Sequence, residues 1–214
     1  MSFYKTIVIC DSHGSGYGDQ AFFGSSEDCY IFKYGGFSIV KIYEDLKNHK
    51  LSCEKLIIQI GNPDVHPRLP IKLISLFGKL HPSLGKQHLY SLTPKLSYKS
   101  FINIPLFLLR RLITIFWVES YSTPQEIILN ISRIAELIEH KDLFVFQIFQ
   151  VNRLVYGRYH NTLADETNQL LNSLFRIVDL KGINFKFSLD YFHFNTKTST
   201  QIKKQMLKLI NGNK

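Results

Sequence analysis

The sequence predicts an α/β protein in which helices cover both faces of a central, mostly parallel sheet, a three-layer α/β/α sandwich. Two observations lead to this class. Short, continuous apolar runs alternate along the chain with longer segments of helical periodicity. No Pro/Gly/Ser-rich linker divides the 214 residues, of which 45% are hydrophobic and 20% charged, so we expect one domain over 1–214.

The first half of the chain supplies two strands and one helix. "KTIVIC", residues 5–10, is a β-branched run that stops at polar residues, which is typical of a buried strand. Residues 37–49 follow a pair of glycines and carry isoleucines and a leucine at helical spacing. "KLIIQIGN", residues 55–62, predicts a second buried strand, and the irregular stretch 63–100 predicts loops and short helices.

The second half begins with the clearest helix, predicted over 123–140. Thr123 can cap it, Pro124 suits its first turn and Glu126 completes a capping box. The other predicted elements are a buried strand at 142–151, a helix at 159–175, a short strand at 175–180 and a closing helix at 199–212.

A basic, apolar insertion or cover is expected at about 66–122. Its most apolar part, "FINIPLFLLRRLITIFW" at 101–117, is interrupted by Arg110 and Arg111 and is too short for a membrane span. Three interpretations stay open: a buried covering helix, an amphipathic segment lying on a bilayer, or a dimer face.

The net charge of +9 and the pI of about 9.4 favour contact with polyanions. The chain has no zinc-finger spacing, no basic-region heptads and no RNA-binding aromatic motif, so we expect no nucleic-acid partner. Solvated surface or attraction to a membrane accounts for the excess charge.

The cysteines and the amino terminus indicate the compartment. Three cysteines without metal-like spacing predict reduced thiols in a cytosol. The apolar run near the start is shorter than a secretion signal requires, so we expect a mature cytoplasmic chain, either free or peripheral to the inner membrane.

Polar residues follow the predicted strands where parallel sheets bind ligands, at the carboxyl ends. Ser12 ends the first strand, Asn62 ends the second, and Asp190 and His193 precede the last helix. A serine hydroxyl becomes a nucleophile when a histidine takes its proton and a carboxylate orients that histidine. Ser12, His193 and Asp190 can supply these three groups.

An acyl transfer also needs donors for the developing oxyanion. The backbone N–H of Ser12, the N–H of Gly36 or Gly35, and the Asn62 side-chain amide are the candidates. We favour Gly36 of the two glycines.

Each of these residues also has a structural alternative. Ser12 could only cap a helix, Asp190 and His193 could be a surface capping pair, and Asn62 could be a turn residue. His13 is expected to face substrate or solvent, and Arg68 either binds an anionic substrate group or is structural. Asp64 and His66 are two metal-ligand types without a third, so we expect no metal and no cofactor.

Four blocks, in order, resemble the SGNH, or GDSL-type, hydrolases: "CDSHG", "YGGF", "IIQIGNPDV" and "LDYFHFN". The resemblance spans residues 6 to 195 and implies an SGNH/flavodoxin-like sandwich with Ser12 as nucleophile. In one departure from the pattern, Pro63 occupies the place of the usual asparagine, and Asn62 is displaced by one residue.

The continuation "GNPDVHPR", residues 61–68, resembles members associated with bacterial surface-polysaccharide biosynthesis. This implies a carbohydrate or other acylated substrate carrying an ester, and an esterase or O-acetyltransferase activity. The rival interpretation is a non-catalytic binding or assembly protein of the same fold, acting at the membrane or with glycan-synthesis partners.

Overall fold

The computed structural model describes residues 2–12, 29–67, 72, 75, 79, 112, 119–151, 158–186 and 194–211. Its strands are β1 (Ser2–Cys10), β2 (Cys29–Lys33), β3 (Leu51–Gln59) and β4 (Ile138–Val145). Its helices are α1 (Ile39–Leu46), α2 (Pro124–Leu137), α3 (Tyr159–Leu174) and α4 (Thr196–Asn211).

The four strands form one sheet in the order β2-β1-β3-β4, and every neighbouring pair is parallel. Ile7 of β1 lies opposite Tyr30 of β2 on one side and Leu56 of β3 on the other. Because all the strands run the same way, their carboxyl ends meet at a single edge, which we call the carboxyl edge.

Alternating side chains of the strands build a core on each face of the sheet. On one face Ile7 and Ile58 pack in a cluster with residues of α1, α2 and α3, and on the other Val8 and Ile57 pack with α4. This arrangement confirms the predicted α/β/α sandwich. The first cluster includes Ile39, Ile42, Ile127, Ile131, Ala164 and Leu171, and the second includes Phe144, Ile202, Met206 and Ile210.

The predicted capping box of α2 is confirmed. The Thr123 hydroxyl accepts a hydrogen bond from the Glu126 N–H at 3.2 Å, and the Glu126 carboxylate accepts one from the Thr123 N–H at 2.7 Å. Pro124 occupies the first turn of α2. A backbone N–H at that position has no acceptor within the helix, so proline loses no hydrogen bond there.

The end of α2 differs from the prediction, because residues 138–140 belong to β4 and not to the helix. Ile138 has extended backbone angles, φ −117° and ψ 115°, and pairs with Leu51 at the start of β3. A buried isoleucine satisfies the apolar stripe of a helix and the buried face of a strand equally well. The side-chain pattern therefore could not locate this junction, which has no intervening loop.

Three strand predictions also need correction. β3 covers Leu51–Gln59 rather than 55–62, because its first residues pair with the start of β1 in an alternating pattern of burial. β4 covers Ile138–Val145 rather than 142–151. The predicted strand at 175–180 is reduced to one parallel bridge between Val145 and Ile177.

The sequence interpretation missed β2 altogether. Its five residues form an edge strand that is buried only at Cys29 and exposed at Tyr30 and Lys33. The apolar run within it, Cys29 to Phe32, is four residues long and does not distinguish a short strand from a loop. The helices at 37–49, 159–175 and 199–212 are confirmed, with ends shifted by one to three residues at most of their boundaries.

The three cysteines lie buried in strands and are free, as expected. Burial raises the pKa of the Cys53 thiol to about 11, and burial with the neighbouring Asp11 carboxylate raises the pKa of Cys10 further. Both thiols are therefore un-ionised near neutral pH and are poor nucleophiles.

Most of the predicted cover at 66–122 lies outside the described residues. Lys72, Ser75 and Lys79 are helical and exposed, and so is Leu112 within 101–117. Among the helices that the structure describes, none has the length and apolar character needed to cross a membrane.

Gly61 at the end of β3 offers a test of packing at the carboxyl edge. Its φ of +102° is strained for other residues, and an added Cβ would lie 2.7 Å from the buried Ile148 Cδ1. Gly61→Ala should lower the free energy of unfolding by about 1–3 kcal/mol more than Gly182→Ala does. Gly182 is the matched control, since its φ is +82° and nothing lies within 4 Å of an added Cβ. Urea unfolding followed by circular dichroism measures the free energy of unfolding of both variants. Equal losses in Gly61→Ala and Gly182→Ala would contradict the packing described.

Candidate active site

The carboxyl ends of β1, β2 and β3 are joined by backbone hydrogen bonds beside Ser12. The Tyr34 N–H donates to the Cys10 carbonyl at 2.8 Å, and the Asp11 N–H donates to the Gln59 carbonyl at 2.9 Å. Ser12 follows directly in helical backbone geometry and is partly exposed. Its position is therefore fixed by the two strands that flank β1.

Asp11 is a fully buried carboxylate that binds neutral donors. Oδ1 accepts from Gln59 Nε2 at 2.9 Å, and Oδ2 accepts from Asn62 Nδ2 at 2.9 Å and from the Asn62 N–H at 3.3 Å. A buried carboxylate needs such donors to replace its lost hydration. Asp11 thus ties the chain just before Ser12 to the end of β3.

Asn62 bridges two parts of the carboxyl edge. While Nδ2 donates to Asp11, Oδ1 accepts from the Phe149 N–H at 2.8 Å. Only 1% of Asn62 is exposed, so its displacement by Pro63 has not turned it outward. The amide nitrogen carries two hydrogens, and the bond to Asp11 uses one of them.

The glycine block forms a turn beside Ser12. The Phe37 N–H donates to the Tyr34 carbonyl at 3.4 Å, and Gly36 has a φ of +75°, which favours glycine. The Tyr34 hydroxyl donates to Asp45 of α1 at 2.5 Å. Burial, with this hydrogen bond, raises the pKa of Tyr34, so the phenol stays a donor and anchors the turn to α1.

Asp64 fastens the loop after β3 to two other segments. Its carboxylate accepts from the Ile39 N–H, at the start of α1, at 3.0 Å and from the Ser122 hydroxyl at 2.8 Å. The residue therefore stabilises the beginning of α1, just after the glycine turn. In the described parts of the chain, no three His, Cys, Asp or Glu side chains come together as a metal site would require.

The segment 146–151, which we call the strand extension, continues β4 past the sheet. The apolar run in the sequence predicts a strand here, but side chains of α3 bind its backbone in place of a neighbouring strand. Asn168 binds both the N–H and the carbonyl of Ile148, at 2.7 and 2.9 Å. Asn161 binds the N–H and the carbonyl of Val151 in the same way, at 2.8 and 2.9 Å.

Two buried histidines lie behind this segment. His160 Nε2 is 3.0 Å from the Phe149 carbonyl oxygen, and its ring meets the His66 ring edge to face at a centroid distance of 5.8 Å. Phe149 is thus bonded to Asn62 through its N–H and to His160 through its carbonyl. His66 belongs to the packed interior of the site wall.

The described residues bring together three of the predicted site residues, Ser12, Gly36 and Asn62, at one edge. His13, Arg68, Asp190 and His193 lie outside the described residues, so their roles stay predictions. Phe194, the residue after His193, packs on Phe149 with ring centroids 4.8 Å apart. The described end of that loop therefore reaches the residue that binds Asn62.

Several residues of the site were missed or undervalued in the sequence. The role of Asp11 was missed, because its bond to Asn62 joins residues too far apart in the chain for any local pattern to reveal. The polar face of α3 was readable: Asn161, Asp165, Asn168 and Asn172 recur at helical spacing. Such a stripe indicates a helix that presents hydrogen-bonding groups to a neighbouring segment.

Comparisons with known proteins bear on the fold. No family model matches the chain, and no curated protein matches its sequence. A GDSL-like lipase from Bacteroides thetaiotaomicron superposes with a TM-score of 0.53 at 10% identity, over 97% of this chain and 88% of that one.

Two further solved structures agree with this. A lipase/acylhydrolase from Enterococcus faecalis gives a TM-score of 0.52 at 11% identity, over 97% of this chain and 96% of that one. A carbohydrate acetylesterase family member from Sinorhizobium meliloti gives a TM-score of 0.52 at 11% identity, over 97% of this chain and 99% of that one. The chain therefore has the α/β/α fold of the SGNH, or GDSL-type, hydrolases.

The Asp11–Asn62 bond predicts a pH-dependent stability in one variant. Asn62→Asp places a second carboxyl group 2.9 Å from Asp11 Oδ2, where both cannot stay ionised. One carboxyl must then keep a proton in the folded state, so its pKa is raised by folding. The free energy of unfolding of the variant should therefore be highest at low pH. It should fall by about 2 kcal/mol or more between pH 5 and 8 relative to that of the wild type.

Urea unfolding at the two pH values measures this effect. The matched control is Asn195→Asp, because the Asn195 side-chain oxygen accepts a hydrogen bond from the Thr198 N–H at 3.0 Å at the start of α4. A parallel pH response in the two variants would rule out the Asp11–Asn62 contact as its cause.

Proposed function

We propose that the protein is a serine-dependent enzyme acting on acyl esters of a carbohydrate, as an esterase or an O-acetyltransferase. The observation that carries the proposal is the position of Ser12. It follows a buried, fully bonded carboxylate at the carboxyl end of β1, between the glycine turn and Asn62. Esterases and acylhydrolases with the same fold support the reaction class.

In the proposed reaction the Ser12 hydroxyl attacks the ester carbonyl carbon. His193 takes the hydroxyl proton and then gives it to the departing alcohol, while Asp190 holds the imidazole in the required tautomer. The acyl group passes from Ser12 to water in an esterase, or to a sugar hydroxyl in a transferase. In either case the incoming hydroxyl gives its proton to His193 as its oxygen bonds to the acyl carbon. The bond from that carbon to Ser12 Oγ then breaks, and His193 returns the proton to Oγ.

The oxyanion formed in each step would be held by fixed donors. We assign this role to the N–H groups of Ser12 and Gly36 and to the second Nδ2 hydrogen of Asn62. The bonds from Asn62 to Asp11 and Phe149 hold the amide in place before substrate arrives. Donors that are already oriented need no reorganisation as charge develops.

The carbohydrate part of the proposal has two supports. One is the "GNPDVHPR" continuation at 61–68, which resembles enzymes associated with bacterial surface polysaccharides. The other is the shared fold of the carbohydrate acetylesterase family member from Sinorhizobium meliloti. We propose a surface polysaccharide, or its precursor, as the substrate class, handled in the cytoplasm or at the inner membrane.

Ser12→Ala should abolish turnover of p-nitrophenyl acetate, with a loss of at least about 10³-fold in kcat/KM above the spontaneous rate. The hydroxyl removed is the only proposed nucleophile. Ser52→Ala, at the amino-terminal end of β3 and away from the carboxyl edge, is the control and should keep wild-type activity. Equal rates in wild type and Ser12→Ala would remove the enzyme hypothesis in favour of a binding or assembly protein.

The role of His193 predicts a pH profile. An imidazole acts as a base only when it has lost its proton, so kcat/KM should rise between about pH 5.5 and 7.5. His193→Ala should remove this rise together with nearly all of the activity, whereas His49→Ala, an exposed histidine between α1 and β3, should retain both. A flat wild-type profile over that range would exclude His193 as the base.

A further inference from the structure

An open groove with a volume of about 1080 Å³ lies between the strand extension, α3 and residues 177–185. This is slightly above the roughly 300–1,000 Å³ of ordinary small-molecule sites. The acyl-transfer steps at Ser12 do not need this space, because an acetyl group is far smaller than the groove. The groove has room for a ligand of several rings.

Paired side chains form part of the polar wall of the groove. Gln147 Nε2 donates to Asn172 Oδ1 at 3.1 Å, and Gln150 Nε2 donates to Asp165 Oδ1 at 2.6 Å. Each pair uses only part of the hydrogen-bonding capacity of its amide and carboxylate groups. The remaining donors and acceptors form a fixed row suited to a ligand with many hydroxyl groups.

An aromatic surface completes the groove. Phe185 is 39% exposed, and its ring packs on Phe194 and Phe149 at centroid distances of 5.2 and 6.1 Å. The two rings beneath it are buried, so Phe185 presents an apolar face on a firm base. Pyranose rings combine an apolar C–H face with hydroxyl groups around the edge, which matches an aromatic surface beside a polar row.

The groove and the candidate active site share a contact at Phe149. Phe149, in its wall, donates its N–H to Asn62, and Phe194 directly follows His193. A chain whose esterified residue lies at Ser12 could therefore extend into the groove.

The charge of the groove differs from that of the whole chain. Among the residues that the structure describes, Asp165 and Asp179 line the groove with one ammonium group, Lys181, although the protein carries +9 overall. Two carboxylates and one cation do not attract a polyanion. The lining favours uncharged sugar residues over uronic acids or phosphorylated sugars.

We propose that this groove binds neutral sugar residues that flank the esterified one, which makes the substrate an oligosaccharide or polysaccharide and not a single acylated sugar. Its role as a subsite rests on the proposed function, but glycan binding can be measured without catalysis.

The test uses the full-length Ser12→Ala protein on an array of neutral and acidic bacterial oligosaccharides, followed by calorimetric titration of the best-bound glycan. We expect binding to neutral glycans of two or more residues. Phe185→Ala and Gln169→Ala, both exposed on the groove wall, should each weaken binding by about fivefold or more. Phe3→Ala, on the exposed start of β1, and Glu136→Ala, near the end of α2, are controls that should bind normally.

Failure to bind any glycan, binding restricted to acidic glycans, or binding unchanged in both groove variants would overturn the inference. In an otherwise wild-type chain, Phe185→Ala should hydrolyse p-nitrophenyl acetate at the normal rate, because that ester does not reach the groove. Groove-dependent glycan binding without any ester turnover would contradict the proposed function and leave the binding site standing. Ester turnover without glycan binding would overturn the inference about the groove and leave the proposed function standing.

Discussion

The arrangement of the carboxyl edge depends on one buried interaction, the hydrogen bonding of the Asp11 carboxylate to Asn62 and Gln59. A carboxylate with no exposed surface is costly unless donors replace its water, so these contacts restrict how the ends of β1 and β3 can lie. Ser12 follows Asp11 without an intervening residue. The same bonds that satisfy the buried charge therefore also fix the backbone of the proposed nucleophile.

The constraint extends outward through the oxygen of the Asn62 side-chain amide. It accepts the Phe149 N–H and so sets the position of the strand extension, which asparagines of α3 hold from the opposite side. Side-chain amides take the place of a neighbouring strand here, which leaves the space beside the extension open as the groove. Site and groove are thus two consequences of one hydrogen-bonded framework.

The sequence predicted the features that local chemistry determines. The capping box at Thr123 and Glu126 located the start of α2, and apolar runs identified the interior of β1 and β3. The predicted end of α2 was wrong because Ile138 fits a helical stripe and a strand face alike. β2 was missed because a four-residue apolar run does not distinguish a short edge strand from a loop. Ser12, Gly36 and Asn62 were predicted from polar and glycine residues near the strand ends and from the block resemblance, and their roles stay predictions. The Asp11–Asn62 contact was not predicted, because it joins residues with no local relation.

The central claim is that the Ser12 hydroxyl is an activated nucleophile at the carboxyl edge. Reaction of the native protein with a fluorophosphonate, followed by tandem mass spectrometry of the proteolytic peptides, tests it most directly. The account predicts a single phosphonyl group on Ser12, formed in the folded protein and not after unfolding in urea. No adduct, or an adduct on another residue, would contradict it.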